Sequence, residues 1–186
     1  VNERENRRYL PGTAIPDNVA VYHKLKEAVT DQDFILLAVP SHAVRETARK
    51  IATHISSPPI IINAAKGFED KTYKRLSQVI EEEIPEARIV VLSGPSHAEE
   101  VARDIPTTVV SSSRDMKAAE MVQDLFMNPA FRVYTNPDLI GVETGGALKN
   151  VIALAAGISV GLGYGDNTKA ALMTRGVYEM AKLGQA

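Results

Sequence analysis

Three short apolar runs constrain this chain most: residues 34–39 (FILLAV), 60–62 (III) and 89–92 (IVVL). Each is about the length of a strand, rich in valine, isoleucine and leucine, and soon followed by proline or glycine. Unbroken apolar runs suit strands covered on both faces, as in parallel sheets, whereas half-exposed strands alternate. Helical segments separate them: residues 44–54, then 73–83 with Leu76, Val79 and Ile80 at helical spacing, then 98–103. A strand at 107–111, a helix at 115–126 and a strand near 131–135 follow. The alternation predicts an α/β chain whose right-handed crossovers build a doubly wound parallel sheet.

The pattern changes after Asn136-Pro137. Two long helical stretches, 138–160 and 169–183, flank the glycine-rich segment GLGYGDN. We therefore expect a partial sheet domain over residues 1–136 and the start of a helical domain over 137–186. The 186 residues leave room for one full domain or two partial ones. A net charge of −2 with no basic run argues against nucleic acid and against a charged membrane surface. The chain has no cysteine, which excludes disulfides, thiolate metal sites and a cysteine nucleophile and suits a reducing cytoplasm. The opening VNERENRRYLPG is polar and charged, unlike a signal peptide, and Val1 in place of methionine suggests a piece of something longer.

Lys149 is the most informative single residue. It is the only charge in the 22 positions between Glu143 and Asp166. Burying a charge there carries a large desolvation cost. Four readings are open: a lysine that snorkels to solvent, a membrane span, a structural ion pair, or a working lysine tuned by its surroundings. Glycines and the central lysine make the span a poor fit. Lys66, in IIINAAKGFE, sits just past a predicted strand and before Gly67. Ligands of open α/β sheets bind outside the carboxyl ends of the strands, so Lys66 either faces that crevice or is an exposed loop lysine. In SGPSHAEE, Ser96 and Glu99 match a capping box at a helix start, which is a plain cap or an anion-binding N-terminus with Gly94 giving close backbone approach. The same stretch weakly matches a nucleophile elbow, but the last glycine is missing and a proline precedes the serine. GLGYGD lacks the third glycine and the preceding strand of a dinucleotide fingerprint. His23, His42, His54 and His97 have no metal-ligand spacing, so no metal site is expected.

Two longer stretches, VLSGPSHAEEVARDIPTTVV and FRVYTNPDLIGVETGGALKNVIALAAGISVGLGYGDNTKAALMTRG, resemble bacterial NAD(P)-dependent glycerol-3-phosphate dehydrogenases. NRRYLPG, FILLAVPSHAVRE and AAKGFE fall in the family's order, so the resemblance covers almost the whole chain. It implies a partial Rossmann-type sheet followed by a helical substrate domain. It implies reduction of dihydroxyacetone phosphate to sn-glycerol 3-phosphate, a phospholipid precursor, with NADH or NADPH as cofactor. The family's catalytic lysine falls on Lys149, the proton donor and acceptor at the C2 oxygen. Its second lysine falls on Lys66, touching substrate and cofactor. Gly94 and Ser96 fall on substrate contacts and Ala98 on a cofactor contact; Pro40 and Ser41 lie where the family's chain passes near the dinucleotide. A cytoplasmic enzyme without a membrane span is implied, and a homo-oligomer is compatible.

The G-x-G-x-x-G segment of a Rossmann fold, and the residue that reads the ribose, are not found after Val1, and the family's later Arg-Asn pair would fall past Ala186. On this ground the chain is expected to be truncated at both ends and inactive, or nearly so, alone. Two alternatives stand beside this: a related dehydrogenase of the 3-hydroxyacid or 6-phosphogluconate type, and a non-catalytic phosphate- or dinucleotide-binding module.

Overall fold

The computed structural model describes residues 4–185; residues 1–3 and Ala186, including the Val1 and Ala186 noted above, lie outside the described residues. A short helix α1 (Leu25–Val29) leads into β1 (Phe34–Leu37). A single 3-10 turn (Ser41–Ala43) and α2 (Val44–Ala52) carry the chain to β2 (Ile60–Asn63). Helix α3 (Leu76–Glu83) precedes β3 (Arg88–Ser93), and the one-turn α4 (Ala98–Val101) precedes β4 (Thr107–Ser112). Then come α5 (Met116–Phe126), β5 (Phe131–Asn136), α6 (Leu139–Gly161) and α7 (Asp166–Gly184).

The strands form one sheet in the order β1-β2-β3-β4-β5. The first three are parallel in continuous register, Ile35 beside Ile61 and Ile61 beside Ile89. The fold class stands as expected, with one joint corrected. β4 runs antiparallel to β3, and β5 is parallel to β4, so the sheet is mixed rather than all parallel. The cause is the connection. One turn of α4 rises about 6 Å, whereas a six-residue strand spans about 20 Å. So short a helix does not return the chain to the start of a parallel neighbour, and β4 folds back instead.

The apolar runs are covered on both faces, as their composition requires. All four residues of β2 are buried. Ile61 packs with Val44, Ala48 and Ile51 of α2 and with Leu76, Val79 and Ile80 of α3. Its neighbours Ile60 and Ile62 face the other way, into a cluster with Val90, Val109, Val133 and the α5 residues Ala118 and Val122. β1 is the exception: among the described residues it pairs only with β2, and Leu36 is left exposed.

Asp115 caps α5 by accepting the N–H groups of Lys117 and Ala118 at 3.0 and 3.3 Å. Asp138 caps α6 by accepting the Gly141 N–H at 2.8 Å. With Pro137 in front, that cap fixes where the long helix begins. α6 then lies along α7 and against the ends of β3 and β4. It is the one helix among the described residues long and apolar enough to cross a membrane by length and composition, yet it packs on the sheet and carries Lys149 at mid-length.

Candidate active site

The carboxyl ends of the parallel strands β1, β2 and β3 open on one side of the sheet. Pro40 and Ser41 follow β1, Lys66 and Gly67 follow β2, and Gly94 and Ser96 follow β3. Asn63 ends β2 buried, and its amide both donates to the Ala65 carbonyl (3.1 Å) and accepts the Ala65 N–H (3.2 Å). That local bridge turns the chain immediately before Lys66. Gly67 has φ +136° and lies beside Ser41, so the loops after β1 and β2 meet there.

Gly94 gives the loop after β3 its path. Its φ of +156° is open to glycine, and an added Cβ would stand 2.7 Å from the Thr108 carbonyl oxygen of β4. The close approach turns Ser96 toward β2, where Lys66 Nζ donates to Ser96 Oγ at 3.4 Å. The capping expectation for Ser96 is therefore corrected. His97, not Ser96, stands at the N-cap of α4 and no side chain caps that helix; the Ser96 hydroxyl is engaged by Lys66 and by the Gly94 carbonyl.

α6 supplies the other wall. An added Cβ at Gly146 would stand 2.5 Å from Ser93 Oγ and 3.9 Å from Lys66 Cγ, so the helix backbone lies directly on the end of β3 and on the Lys66 side chain. Lys149 follows three residues later, on the same stripe of the helix. It is half-buried and donates to Asn150 Oδ1 at 3.0 Å. Burial pushes the Lys66 ammonium below its ordinary value, and the charge of Lys149 pushes it further in the same direction.

Among the described residues neither lysine is in an ion pair. The structural ion-pair reading of Lys149 is thus set aside. Two ammonium groups from separate elements, with a hydroxyl between the strands, are left without a counter-ion. Such an arrangement favours an anionic ligand. It lies at an open rim. The hollow between α6 and α7, about 420 Å³ and lined by residues such as Val142, Gly145 and Met180, contains neither lysine. Ala98, the expected cofactor contact, is the first residue of α4, beyond Ser96 on the same loop. The four histidines remain dispersed, and among the described residues no group of histidine, cysteine, aspartate or glutamate could hold a metal.

Sequence reasoning missed Arg75 and Glu143. Glu143, one turn before Gly146, is buried and accepts from Arg75 Nη1 at 2.6 Å, from the Ser77 N–H at 2.8 Å and from Ser77 Oγ at 2.5 Å. The available signal was an acidic residue at the head of an otherwise apolar helix.

An open α/β sheet with paired cations at its carboxyl rim and a helix closing one side defines a ligand-binding chain of the doubly wound class. Comparison with known proteins resolves the class further. Residues 1–119 match the family described as NAD-dependent glycerol-3-phosphate dehydrogenase N-terminus, and residues 138–186 match the corresponding C-terminus. The chain belongs to the NAD-dependent glycerol-3-phosphate dehydrogenase family. A glycerol-3-phosphate dehydrogenase [NAD(P)+] of Clostridium tetani is 58% identical over 186 residues, which is 100% of this chain and 53% of that protein. The crystal structure of glycerol-3-phosphate dehydrogenase from Coxiella burnetii superposes with a TM-score of 0.90 at 38% identity, covering 98% of this chain and 56% of that one. Plasmodium falciparum glycerol-3-phosphate dehydrogenase gives a TM-score of 0.90 at 30% identity, over 100% of this chain and 52% of the other. The chain spans about half the length of the relatives it matches. Membership separates it from the 3-hydroxyacid and 6-phosphogluconate types at the level of family.

Proposed function

We propose that this chain carries the lysine centre of an enzyme that reduces dihydroxyacetone phosphate to sn-glycerol 3-phosphate with NADH or NADPH. The observation that carries the reading is that the Lys66 side chain lies against α6 at Gly146, three residues before Lys149, with neither lysine in an ion pair among the described residues. The substrate is a small dianion with a ketone, so it requires cations and a proton source together. In this reading residues 1–136 form one wall of the site and residues 137–186 the other.

Lys66 and Ser96 hold the substrate, with Gly94 letting the backbone come close. A lysine whose charged form is disfavoured by burial gains most from an anion placed against it, because the anion replaces the water it has lost. Lys149 holds its proton at Nζ, within reach of the C2 oxygen. As C2 gains hydride, the carbonyl π pair moves onto oxygen and takes that proton, leaving neutral Lys149 to be reprotonated from solvent. In the reverse direction neutral Lys149 removes the hydroxyl proton.

The residues present suit one side of a dinucleotide. The loops after β1 and β2 meet where Gly67 leaves its backbone bare beside Ser41, with Pro40 and Lys66 next to them in sequence and Ala98 on the loop after β3. Hydride is the chemistry a bound NADH or NADPH supplies. The absence of cysteine and the phosphorylated substrate agree with a cytoplasmic enzyme.

The test is an exchange. The chain replaces the matching half of the Clostridium tetani relative, and oxidation of NADH and NADPH is followed with dihydroxyacetone phosphate. We expect turnover by the chimera, little or none by the 186-residue chain alone, and a fall of about 10²-fold or more in kcat with Lys149→Ala. A chimera that binds the phosphate and turns nothing over, with Lys149→Ala without effect, contradicts the reading in favour of a binding module.

A further inference from the structure

The loop that carries Lys66 is pinned at both ends. Just after Lys66-Gly67, Phe68 bridges to Arg75, and the Glu69 N–H donates to the Lys74 carbonyl at 2.9 Å, closing residues 68–75 into a small hairpin. On one side Arg45 of α2 clasps Glu69 with two hydrogen bonds, at 2.5 and 2.8 Å. On the other side Arg75 and the first turn of α3 are held by Glu143 of α6.

Glu143 is fully engaged. One carboxylate oxygen accepts the Ser77 N–H, and the other accepts the Ser77 hydroxyl and the Arg75 guanidinium. Its side chain is 5% exposed and that of Arg75 is 12% exposed. A carboxylate so occupied has no free oxygen to offer a ligand. A buried ion pair is also poor at adding stability over an apolar substitute; fixing register is its better-attested use. The register in question is visible on the helix. Glu143, Gly146 and Lys149 stand three residues apart along one stripe of α6. The first binds α3 and Arg75, the second lies on Ser93 and Lys66, and the third presents its ammonium. Two like charges brought this close repel, so something other than the lysines has to hold their elements together.

We propose that Glu143 is a positioning residue. Through Arg75 and the N-terminus of α3 it locks the Lys66 loop to α6, so that Lys66 and Lys149 face one ligand. The inference rests on the reading of those two lysines as the reaction centre, but its test needs neither substrate nor cofactor.

The 186-residue chain is reductively methylated with ¹³C-formaldehyde, and the Lys66 methyl signal, assigned with Lys66→Arg, is titrated with pH. In the otherwise unaltered chain, Lys149→Met moves the Lys66 midpoint upward, because a neighbouring cation is gone. In Glu143→Gln, whose amide N–H₂ turns a donor toward Arg75, we expect that response to fall to less than half. Arg75→Met has the same effect and Arg75→Lys restores most of the response. Circular dichroism verifies that each variant is folded. Should Glu143→Gln not fold, the contrast of Arg75→Met with Arg75→Lys decides.

The direct electrostatic effect of Glu143→Gln has the opposite sign. Loss of a carboxylate alone pushes Lys66 downward, whereas separation of the two lysines lets it rise. A full Lys149 response in folded Glu143→Gln and Arg75→Met overturns the proposal, as does the absence of any response in the unaltered background. An inactive chimera with intact coupling loss would fault the functional reading and leave the clamp standing. An active chimera with unchanged coupling would do the reverse.

Discussion

The sheet and the helical hairpin beneath it bury their apolar residues very differently. In the sheet and the helices that cover it, Ile61, Val90 and Val133 of the strands and Val79, Ile80 and Val122 of α3 and α5 are wholly enclosed between layers. In α6 and α7, Val151, Leu154, Ile158, Val177 and Tyr178 are all more than half exposed. The buried residues of α6 are Leu139, Glu143, Thr144 and Gly146 near its start and Ser159 near its end, and on α7 only Gly176 is buried among the described residues. The hairpin is therefore fastened to the sheet at one end by a few specific contacts. The proposed site lies at that fastened end, where close backbone approach at Gly146 and the Glu143 clamp replace broad apolar burial.

That contrast breaks most readily by truncation. Ile61→Ala should cost about 2–5 kcal/mol in chemical denaturation, since its contacts lie on every side. Leu154→Ala, on the outer face of α6, should stay within about 0.5 kcal/mol in the same measurement. Similar losses at both positions would mean that the two regions are not packed differently.

A smaller effect sharpens the comparison through charge. Arg45 joins α2 to the Lys66 loop and to α3 through Glu69, Glu82 and Glu83. Hydrogen bonds from Arg45 and Thr72 hold the Glu69 carboxyl at about 2, below its ordinary 4.5. Because the folded value is depressed, the stabilisation is complete above about 4.5 and is lost as pH falls toward about 2. Stability measured from pH 6 to 2 should fall less steeply in Glu69→Gln than in the unaltered chain. Parallel curves would remove this network from the account.

Much of the sheet was legible because burial on two faces writes unbroken apolar runs, and all five expected strands are found, their ends within a residue or two. α6 and α7 were legible from their length and from the proline and glycine signals around them. The antiparallel β4 was not, because strand direction depends on the span of the connection and α4 is two residues shorter than the helix expected over 98–103. Lys66 and Lys149 were singled out, yet their meeting follows from packing between elements 83 residues apart in sequence. Glu143 and Arg75 were missed for the same reason: an acidic residue heading an apolar helix is a signal, but the buried pair is recognised only when both partners are seen.

The central claim is that Lys66 and Lys149 form one anion site, and titration with sn-glycerol 3-phosphate tests it most directly. With the chain's lysines ¹³C-methylated, the signals of Lys66 and Lys149 should move together along one saturation curve; the Lys149 signal should stay still in Lys66→Met and the Lys66 signal in Lys149→Met, while exposed lysines such as Lys50 and Lys182 stay put. Separate saturation curves for the two lysines, or movement only among the exposed ones, would contradict it.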